Sequence, residues 1–275
     1  MGDSYDNYKA AMQDPWPGWW IAWPPTQRIS LGDVFDRSGG VQRAAGNLAD
    51  RRITYQIAQG TPPASFSYDA QGSVTAHFKA AGSSPQGFSA LAKADAGALV
   101  QFARAQSVLA VYGNLIQEGF SDIPAVAAEL ARLYWDGRWP TDLVAVSDVI
   151  MAATGLLATA TAAGASAELR VSVSARAGPV SLVDLAGQAA FARTEHVGMQ
   201  WVGTKVTPFY RVVGLRKTWL ARIVKDYGPR QPGRGAAPEP VPPLVLDEAR
   251  DEPDAVLESP PQDARPPDPT ASPGP

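Results

Sequence analysis

Apolar and polar side chains alternate along two stretches of this chain, and the alternation predicts β-strands. In the first stretch, residues 65–80, the turn residues Gln71 and Gly72 divide the alternation into two halves. A strand points successive side chains to opposite faces, so a period of two indicates strands with one buried face. The apolar side is formed by Phe66, Tyr68, Ala70, Val74, Ala76, Phe78 and Ala80. This stretch therefore predicts a β-hairpin.

The second alternating stretch extends from residue 143 to residue 176. Residues 143–162 predict one long strand or two shorter ones, and a helix over 152–163 is the alternative because Ala and Leu favour helices. A turn around Gly164 follows. Beyond it the alternation is the cleanest in the chain, with an apolar side formed by Ala167, Leu169, Val171, Val173 and Ala175. The stretch predicts a long hairpin.

Helical spacing is found over residues 122–135. Ser121 or Asp122 can cap the first turn, where Pro124 also fits, and Asp136 and Gly137 end the helix. Its apolar face is formed by Ile123, Val126, Ala127, Leu130, Leu133 and Tyr134.

Three shorter elements complete the prediction: strands over residues 97–104 and 202–213, and a short amphipathic helix over 180–192. Together the elements predict an α+β fold, a twisted and mainly antiparallel sheet with long alternating hairpins and a few flanking helices.

Composition changes sharply near residue 228. Of the 25 prolines, 14 lie in residues 228–275, whereas all eight tryptophans precede them. The tail holds four Arg and nine Asp or Glu, so its net charge is −5, and subtracting this from −3 leaves +2 for the body. Such a tail cannot bury enough apolar surface to offset its ordering entropy. The sequence predicts one domain over residues 1–227 and a disordered, proline-rich acidic tail over 228–275.

Four tryptophans lie within eight positions near the N-terminus and are flanked by prolines: Trp16, Trp19, Trp20 and Trp23. One interpretation is that they cover an apolar flank of the domain. The other is an interfacial membrane anchor or a partner-docking strip, because tryptophan is favoured at membrane interfaces and binding hot spots.

Basic residues concentrate around Trp219 near the end of the body: Arg211, Arg216, Lys217, Arg222 and Lys225. The body is otherwise nearly neutral, so the composition does not favour nucleic-acid binding. Basic residues interleaved with apolar ones suit an anionic lipid surface or an acidic partner. The alternative interpretation is the solvated face of a terminal helix.

Candidate catalytic residues are few, and no nucleotide-binding loop or nucleophile motif is present. Glu195 and His196 form the one adjacent acid–imidazole pair, and His77 lies on the polar side of a strand. Asp33 and Asp36 could bring two carboxylates together, although turn and cap roles are commoner for such residues. The sequence predicts no enzyme, no cofactor and no metal.

Location is predicted from three further features. The chain has no cysteine, and no N-terminal stretch resembles a signal peptide, so the cytoplasm is the default prediction. Residues 149–167 carry no charge over a length close to that of a membrane-spanning helix. Their Ala, Thr, Gly and Ser content argues against such a helix.

The order of these elements resembles the N-terminal, pore-forming domain of gasdermins. The resemblance is carried by residues 31–35 (LGDVF), by the alternating strand and Gly-Ser bend of residues 66–84, by the helix over 122–135 and by the stretch over 143–176. It covers most of residues 16–225. It implies a protein that permeabilises membranes by inserting β-hairpins, with a closed barrel satisfying every backbone group within the bilayer.

The resemblance also implies partners: an anionic membrane after activation, further copies of the same chain in an oligomer, and an activating protease. The four tryptophans and the basic segment would then contact lipid. The short apolar run 241–246 and the acidic residues after it predict a tail that docks on the body and masks residues 211–225.

Two other functions stay open at this point. One is a non-enzymatic protein-binding or adaptor module that uses the tryptophan strip and the proline-rich tail. The other is an enzyme whose Asp33, Asp36 or Glu195 and His196 converge in one cleft.

Overall fold

A computed structural model of the chain describes residues 4–70, 72–171, 181–228 and 240–266. The chain divides into two compact units, each assembled from three separate segments. Unit 1 comprises Met1–Arg28, Thr61–Ile116 and Ile150–Pro208, and unit 2 comprises Ile29–Gly60, Gln117–Val149 and Phe209–Pro275. This division differs from the single domain predicted over residues 1–227.

The described residues form six helices and thirteen strands in two antiparallel sheets, which confirms the predicted α+β class. The helices are α1 Ser4–Gln13, α2 Ile123–Trp135, α3 Leu182–Leu185, α4 Lys217–Tyr227, α5 Pro243–Asp251 and α6 Pro253–Val256. The strands are β1 Trp20–Ile21, β2 Asp33–Asp36, β3 Arg43–Asn47, β4 Ile57–Gln59, β5 Ser65–Tyr68, β6 Val74–Lys79, β7 Ala96–Phe102, β8 Val108–Phe120, β9 Leu143–Ala160, β10 Ser166–Val171, β11 Ala189–Glu195, β12 Val197–Leu215 and β13 Leu257–Glu258.

Unit 1 is built on a four-stranded antiparallel sheet with the order β11-β10-β7-β6. One face of this sheet packs against apolar residues of β8 and β9, and the other face carries mainly polar side chains, with Leu99 among them. The core includes Val100, Phe102, Leu109, Val111, Leu156, Ala167 and Leu169. Helix α1 buries Tyr5, Tyr8 and Met12, and the Tyr8 hydroxyl lies 2.6 Å from the Tyr112 hydroxyl. A buried phenol needs such a partner, so this contact fixes where α1 lies.

Unit 2 surrounds a second core with α2, α4, α5 and the strands β2, β3 and the start of β9. Helix α2 forms as predicted: the Asp122 side chain accepts a hydrogen bond from the Ala125 backbone amide at 3.0 Å, and the helix ends at Asp136. Its buried face includes Val126, Leu130 and Leu133.

Both predicted hairpins are wrong in their pairing, although their strands form. Strand β5 pairs with β8, and β6 pairs with β7, so the two halves of residues 65–80 belong to different sheets. Likewise β10 pairs with β7 and β11, whereas β9 belongs to the larger sheet. Alternation fixes which side chains face a core but does not select the partner strand. Gln71 and the predicted strand end at residues 172–176 lie outside the described residues.

Residues 143–160 form one strand, so the helical alternative for residues 152–163 is wrong. Strand β9 is buried along most of its length, and pairing with neighbouring strands overrides the helix preference of its Ala and Leu residues. The helix predicted over 180–192 is also largely wrong. It is limited to α3, which Ser181 and Asp184 cap reciprocally, and β11 follows at Ala189.

The predicted strands over 97–104 and 202–213 are confirmed as β7 and the longer β12. Residues 240–266 differ from the predicted disorder. Val245, Ala249, Val256 and Leu257 are buried in the core of unit 2, and β13 pairs with β12. A few apolar residues at helical spacing are enough to order this segment against an existing core. Residues 229–239 and 267–275 of the predicted tail lie outside the described part of the chain.

Two adjacent residues of α5 test whether this segment completes the core. Val245 is 2% exposed and Leu244 is 74% exposed. We expect Val245→Asp to lower the free energy of unfolding by about 3 kcal/mol or more, because it buries an unpaired charge. Leu244→Asp, the matched control, should change it by about 0.5 kcal/mol or less. Urea unfolding measures both values, and equal effects would contradict the packing of α5.

Candidate functional site

The predicted basic segment forms helix α4 and the end of β12. Trp219, Leu220 and Ile223 are buried in the core of unit 2, whereas Arg222 and Lys225 are exposed. Lys217 is also exposed, and Arg211 and Arg216 are half-buried. Helical spacing therefore separates an apolar face from a basic one, as an amphipathic helix requires.

The basic face of α4 contacts a carboxylate from α5. The Trp219 indole Nε1 donates to Glu248 Oε2 at 3.2 Å, and the Arg222 guanidinium hydrogen-bonds to both Glu248 oxygens. These hydrogen bonds raise the pKa of Arg222 above its ordinary value. Charge-assisted pairs of this kind are the stronger hydrogen bonds of proteins. The contact predicted between the acidic tail and the basic segment is present at this carboxylate.

Arg216 holds the chain that follows α5. Its Nη2 donates to the Asp254 carbonyl at 2.7 Å and to the Leu257 carbonyl at 3.1 Å, and its backbone amide donates to the Val256 carbonyl at 2.8 Å. Because Arg216 is occupied by these backbone acceptors, it holds the junction of α6 and β13 against the end of β12.

A third attachment lies near the end of the described chain. The Gln42 backbone amide donates to the Arg265 carbonyl at 2.9 Å, and the Arg265 amide donates to the Gly40 carbonyl at 3.1 Å. Arg37 forms an ion pair with Asp263. We call residues 240–266 the C-terminal strap, because they are fixed to unit 2 at α4, at β12 and beside β3.

The tryptophan strip belongs to unit 1. Trp20 and Trp23 are buried, and Trp23 packs against Tyr5 and Tyr8 of α1. Trp16 and Trp19 are half-buried, and Trp16 packs edge-on against the Phe66 ring at 5.5 Å. In this conformation the strip covers an apolar flank, and lipid contact by Trp20 or Trp23 requires these side chains to leave the core.

The aspartates considered as catalytic candidates hold local backbone. Asp33 accepts from the Ser30 amide at 2.8 Å and from the Asn47 side chain at 3.0 Å. Asp36 accepts from the Ser38 amide at 2.7 Å, and this hydrogen bond lowers the pKa of its carboxyl. Both contacts are turn and strand-end roles.

Among the residues that the structure describes, neither candidate imidazole forms an ion pair or a hydrogen bond with a carboxylate. His77 is exposed on β6, as its position on the polar side of the strand predicts. Glu195 hydrogen-bonds to Arg193, whereas the His196 backbone has a φ of 54° and its carbonyl accepts from Thr161. The side chains of Glu195 and His196 therefore do not form a catalytic pair in this conformation.

Sequence reasoning missed a polar cluster around Glu168 in unit 1. Glu168 lies on the polar side of β10 yet is only 4% exposed, because the loop over residues 80–95 covers it. Its carboxylate accepts from the Ser89 amide at 2.9 Å, the Ser89 hydroxyl at 2.6 Å and the Ala90 amide at 2.8 Å. Arg193 donates to the Ser89 hydroxyl at 2.6 Å. Alternation alone gives no sign that a loop will cover the polar face.

No protein-family model matches the chain, and no curated protein matches it. No helix in the described segments is long and apolar enough to cross a membrane. Within the same segments, no three His, Asp or Glu side chains are grouped closely enough to hold a metal ion.

Glu168 makes unit 1 sensitive to acid. Burial raises the pKa of its carboxyl, but hydrogen bonds from Ser89 and Ala90 and the charge of Arg193 outweigh burial and lower the pKa below its ordinary value. A depressed pKa in the folded state stabilises the protein above the unfolded-state pKa, and this stabilisation is lost as the pH falls through the folded-state value. We expect the free energy of unfolding to fall less steeply below about pH 4.5 in Glu168→Gln than in the unmodified chain.

Urea unfolding at a series of pH values measures this difference. Glu118→Gln is the matched control, because it removes a half-buried carboxylate of unit 2 outside the Glu168 cluster. If Glu168→Gln follows the pH dependence of the control, the Glu168 contacts do not stabilise the fold.

Proposed function

We propose that this protein permeabilises anionic membranes as a gasdermin-like pore former and that the C-terminal strap holds it inactive. The observation that carries the proposal is the Glu248 carboxylate on Trp219 and Arg222 of α4. The strap thereby covers the part of the chain best suited to a membrane surface.

Helix α4 has the properties of an interfacial helix. It places basic side chains beside Trp219 and the partly exposed Val224 and Tyr227. Each Lys or Arg near an anionic surface contributes about 1 kcal/mol to binding, and an aromatic side chain anchors at the headgroup level. Glu248 neutralises the positive charge of Arg222 and accepts the hydrogen bond of the Trp219 indole. Release of the strap therefore makes the charge of Arg222 and the indole N–H available to lipid.

The membrane-inserting strands in this proposal are the pairs β6–β7 and β10–β11 of unit 1, rather than the hairpins expected from the sequence. Each pair is antiparallel and amphipathic, with apolar residues toward the core and polar residues on the opposite face. A membrane-spanning strand needs about 9–11 residues. These strands have six or seven, so insertion recruits flanking residues, which among the described residues are those of the connections over 80–95 and 181–188.

The remaining steps follow from the physics of a bilayer. Unpaired backbone groups are too costly in lipid, so the inserted strands must close into a barrel, which requires several copies of the chain.

Cleavage of the chain before the strap by a protease is the activating event in this proposal. The partners are therefore a protease, an anionic membrane and further copies of this chain.

Charge reversal at Glu248 tests the role of the strap. We expect Glu248→Arg to release dye from vesicles containing anionic lipid at a protein concentration at which the unmodified chain releases little, because the introduced guanidinium repels Arg222. Asp251→Arg is the matched control: it makes the same change in net charge at an exposed position of α5, and we expect little release.

Two further measurements make the result decisive. Vesicles of neutral lipid should leak less with Glu248→Arg, and circular dichroism should show that the variant keeps its folded signal. The point variant is a sharper test than a chain ending at residue 227, because truncation also removes core residues of unit 2. If folded Glu248→Arg and a protease-cleaved chain both leave anionic vesicles intact, the proposed function is wrong.

A further inference from the structure

A cavity of about 220 Å³ lies on the polar face of the four-stranded sheet in unit 1. The loop over residues 80–95 forms one wall through Gly87 and Ser89, and strands β7, β10 and β11 form the floor. The remaining lining residues are Leu99, Gln101, Ser166, Glu168, Arg193 and Glu195. The cavity therefore combines one apolar side chain with several polar ones.

Part of this polar lining is already occupied by internal contacts. Glu168 accepts three hydrogen bonds from the loop, and the Ser89 hydroxyl both donates to Glu168 and accepts from Arg193. Arg193 also donates to one oxygen of Glu195. These groups hold the loop in place and keep the cavity open beside it.

Three lining groups retain hydrogen-bonding capacity within the described residues: the Gln101 amide, the Ser166 hydroxyl and the second carboxylate oxygen of Glu195. Their strands align them, because Ser166 is directly opposite Gln101 on β7 and directly opposite Glu195 on β11. Side chains in such cross-strand positions have Cβ atoms about 5 Å apart. All three can present an oxygen acceptor to one bound group.

Charge and size define what this group can be. Glu168 and Glu195 carry two negative charges against the one positive charge of Arg193, so a ligand with a single positive charge neutralises the lining. A primary ammonium has three N–H donors and no acceptor, which matches three acceptors. A volume of about 220 Å³ is enough for a short aliphatic chain, since a cavity of roughly 150 Å³ binds benzene.

We propose that this cavity binds a small primary alkylammonium ion. The ammonium donates to Gln101, Ser166 and Glu195, and the alkyl chain packs against Leu99 beside Gly87. Gly87 leaves room here, because a Cβ at this position would lie 3.2 Å from the Leu99 side chain. The proposal concerns unit 1 and is independent of the function proposed for the strap.

Isothermal titration calorimetry with n-butylammonium tests the site on the full-length chain. We expect saturable binding that Glu195→Gln weakens by about tenfold or more, because a hydrogen bond to a charged group is lost. Ser166→Ala should weaken binding by a smaller factor. Glu118→Gln, in unit 2, is the matched control and should leave the affinity unchanged.

Two probes separate the contributions of charge and donors. 1-Butanol has the same chain without the charge, and butyltrimethylammonium has the charge without N–H donors, so we expect both to bind at least about tenfold more weakly. The proposal is wrong if n-butylammonium does not bind, if 1-butanol binds equally well, or if folded Glu195→Gln keeps the original affinity. Dye release from vesicles is not involved, so these results do not depend on pore formation.

Discussion

Unit 2 completes its hydrophobic core with side chains from the far end of the sequence. Val245, Ala249, Val256 and Leu257 of the strap are buried with α2 and α4, so this segment is part of the fold rather than an appendage. The polar contacts depend on that burial. Glu248 reaches Trp219 and Arg222 because Val245 and Ala249 fix the face that α5 presents to the core. A charged contact on an exposed helix contributes little by itself, whereas one held by packing loses less side-chain entropy.

Unit 1 uses charged side chains for a different purpose, to fix a loop over one face of a sheet. Lys79 is buried, and its ammonium donates to the carbonyls of Ala92, Lys93 and Asp95. Arg170 pairs with Asp95 at 3.1 Å, and Glu168 binds the Ser89 and Ala90 amides. Buried polar groups must be paired, so each of these contacts satisfies loop backbone that would otherwise need water. The cavity is what remains between the loop and the strands.

Local patterns in the sequence predict most strands and α2, because these depend on alternation, spacing and caps. The Asp122 cap and the helix end at Asp136 are examples. Strand partners are not encoded locally: Phe66 and Val74 are eight residues apart, yet their strands pair with β8 and β7 in different sheets. Lys79 stays on the same face of β6 as His77, yet it is buried, because the loop covers this face and the carbonyls of Ala92, Lys93 and Asp95 accept its ammonium. The same holds for the candidate site. The spacing of the basic residues predicts the exposed face of α4, whereas no local pattern predicts that Glu168 is buried.

Packing of the strap also constrains how it can act as a switch. Full burial of a Val or Leu side chain contributes about 1.5–3 kcal/mol, and three such residues of the strap are buried alongside the Glu248 contact. Opening of the strap exposes these side chains to water, and this cost opposes release in the intact chain. Loss of the Glu248 contact therefore weakens the attachment of the strap in part, and complete release needs a further input. In the proposed function cleavage supplies this input, because it makes the strap a separate molecule that diffuses away once it dissociates. The basic face of α4 would then meet an anionic surface without competition from Glu248.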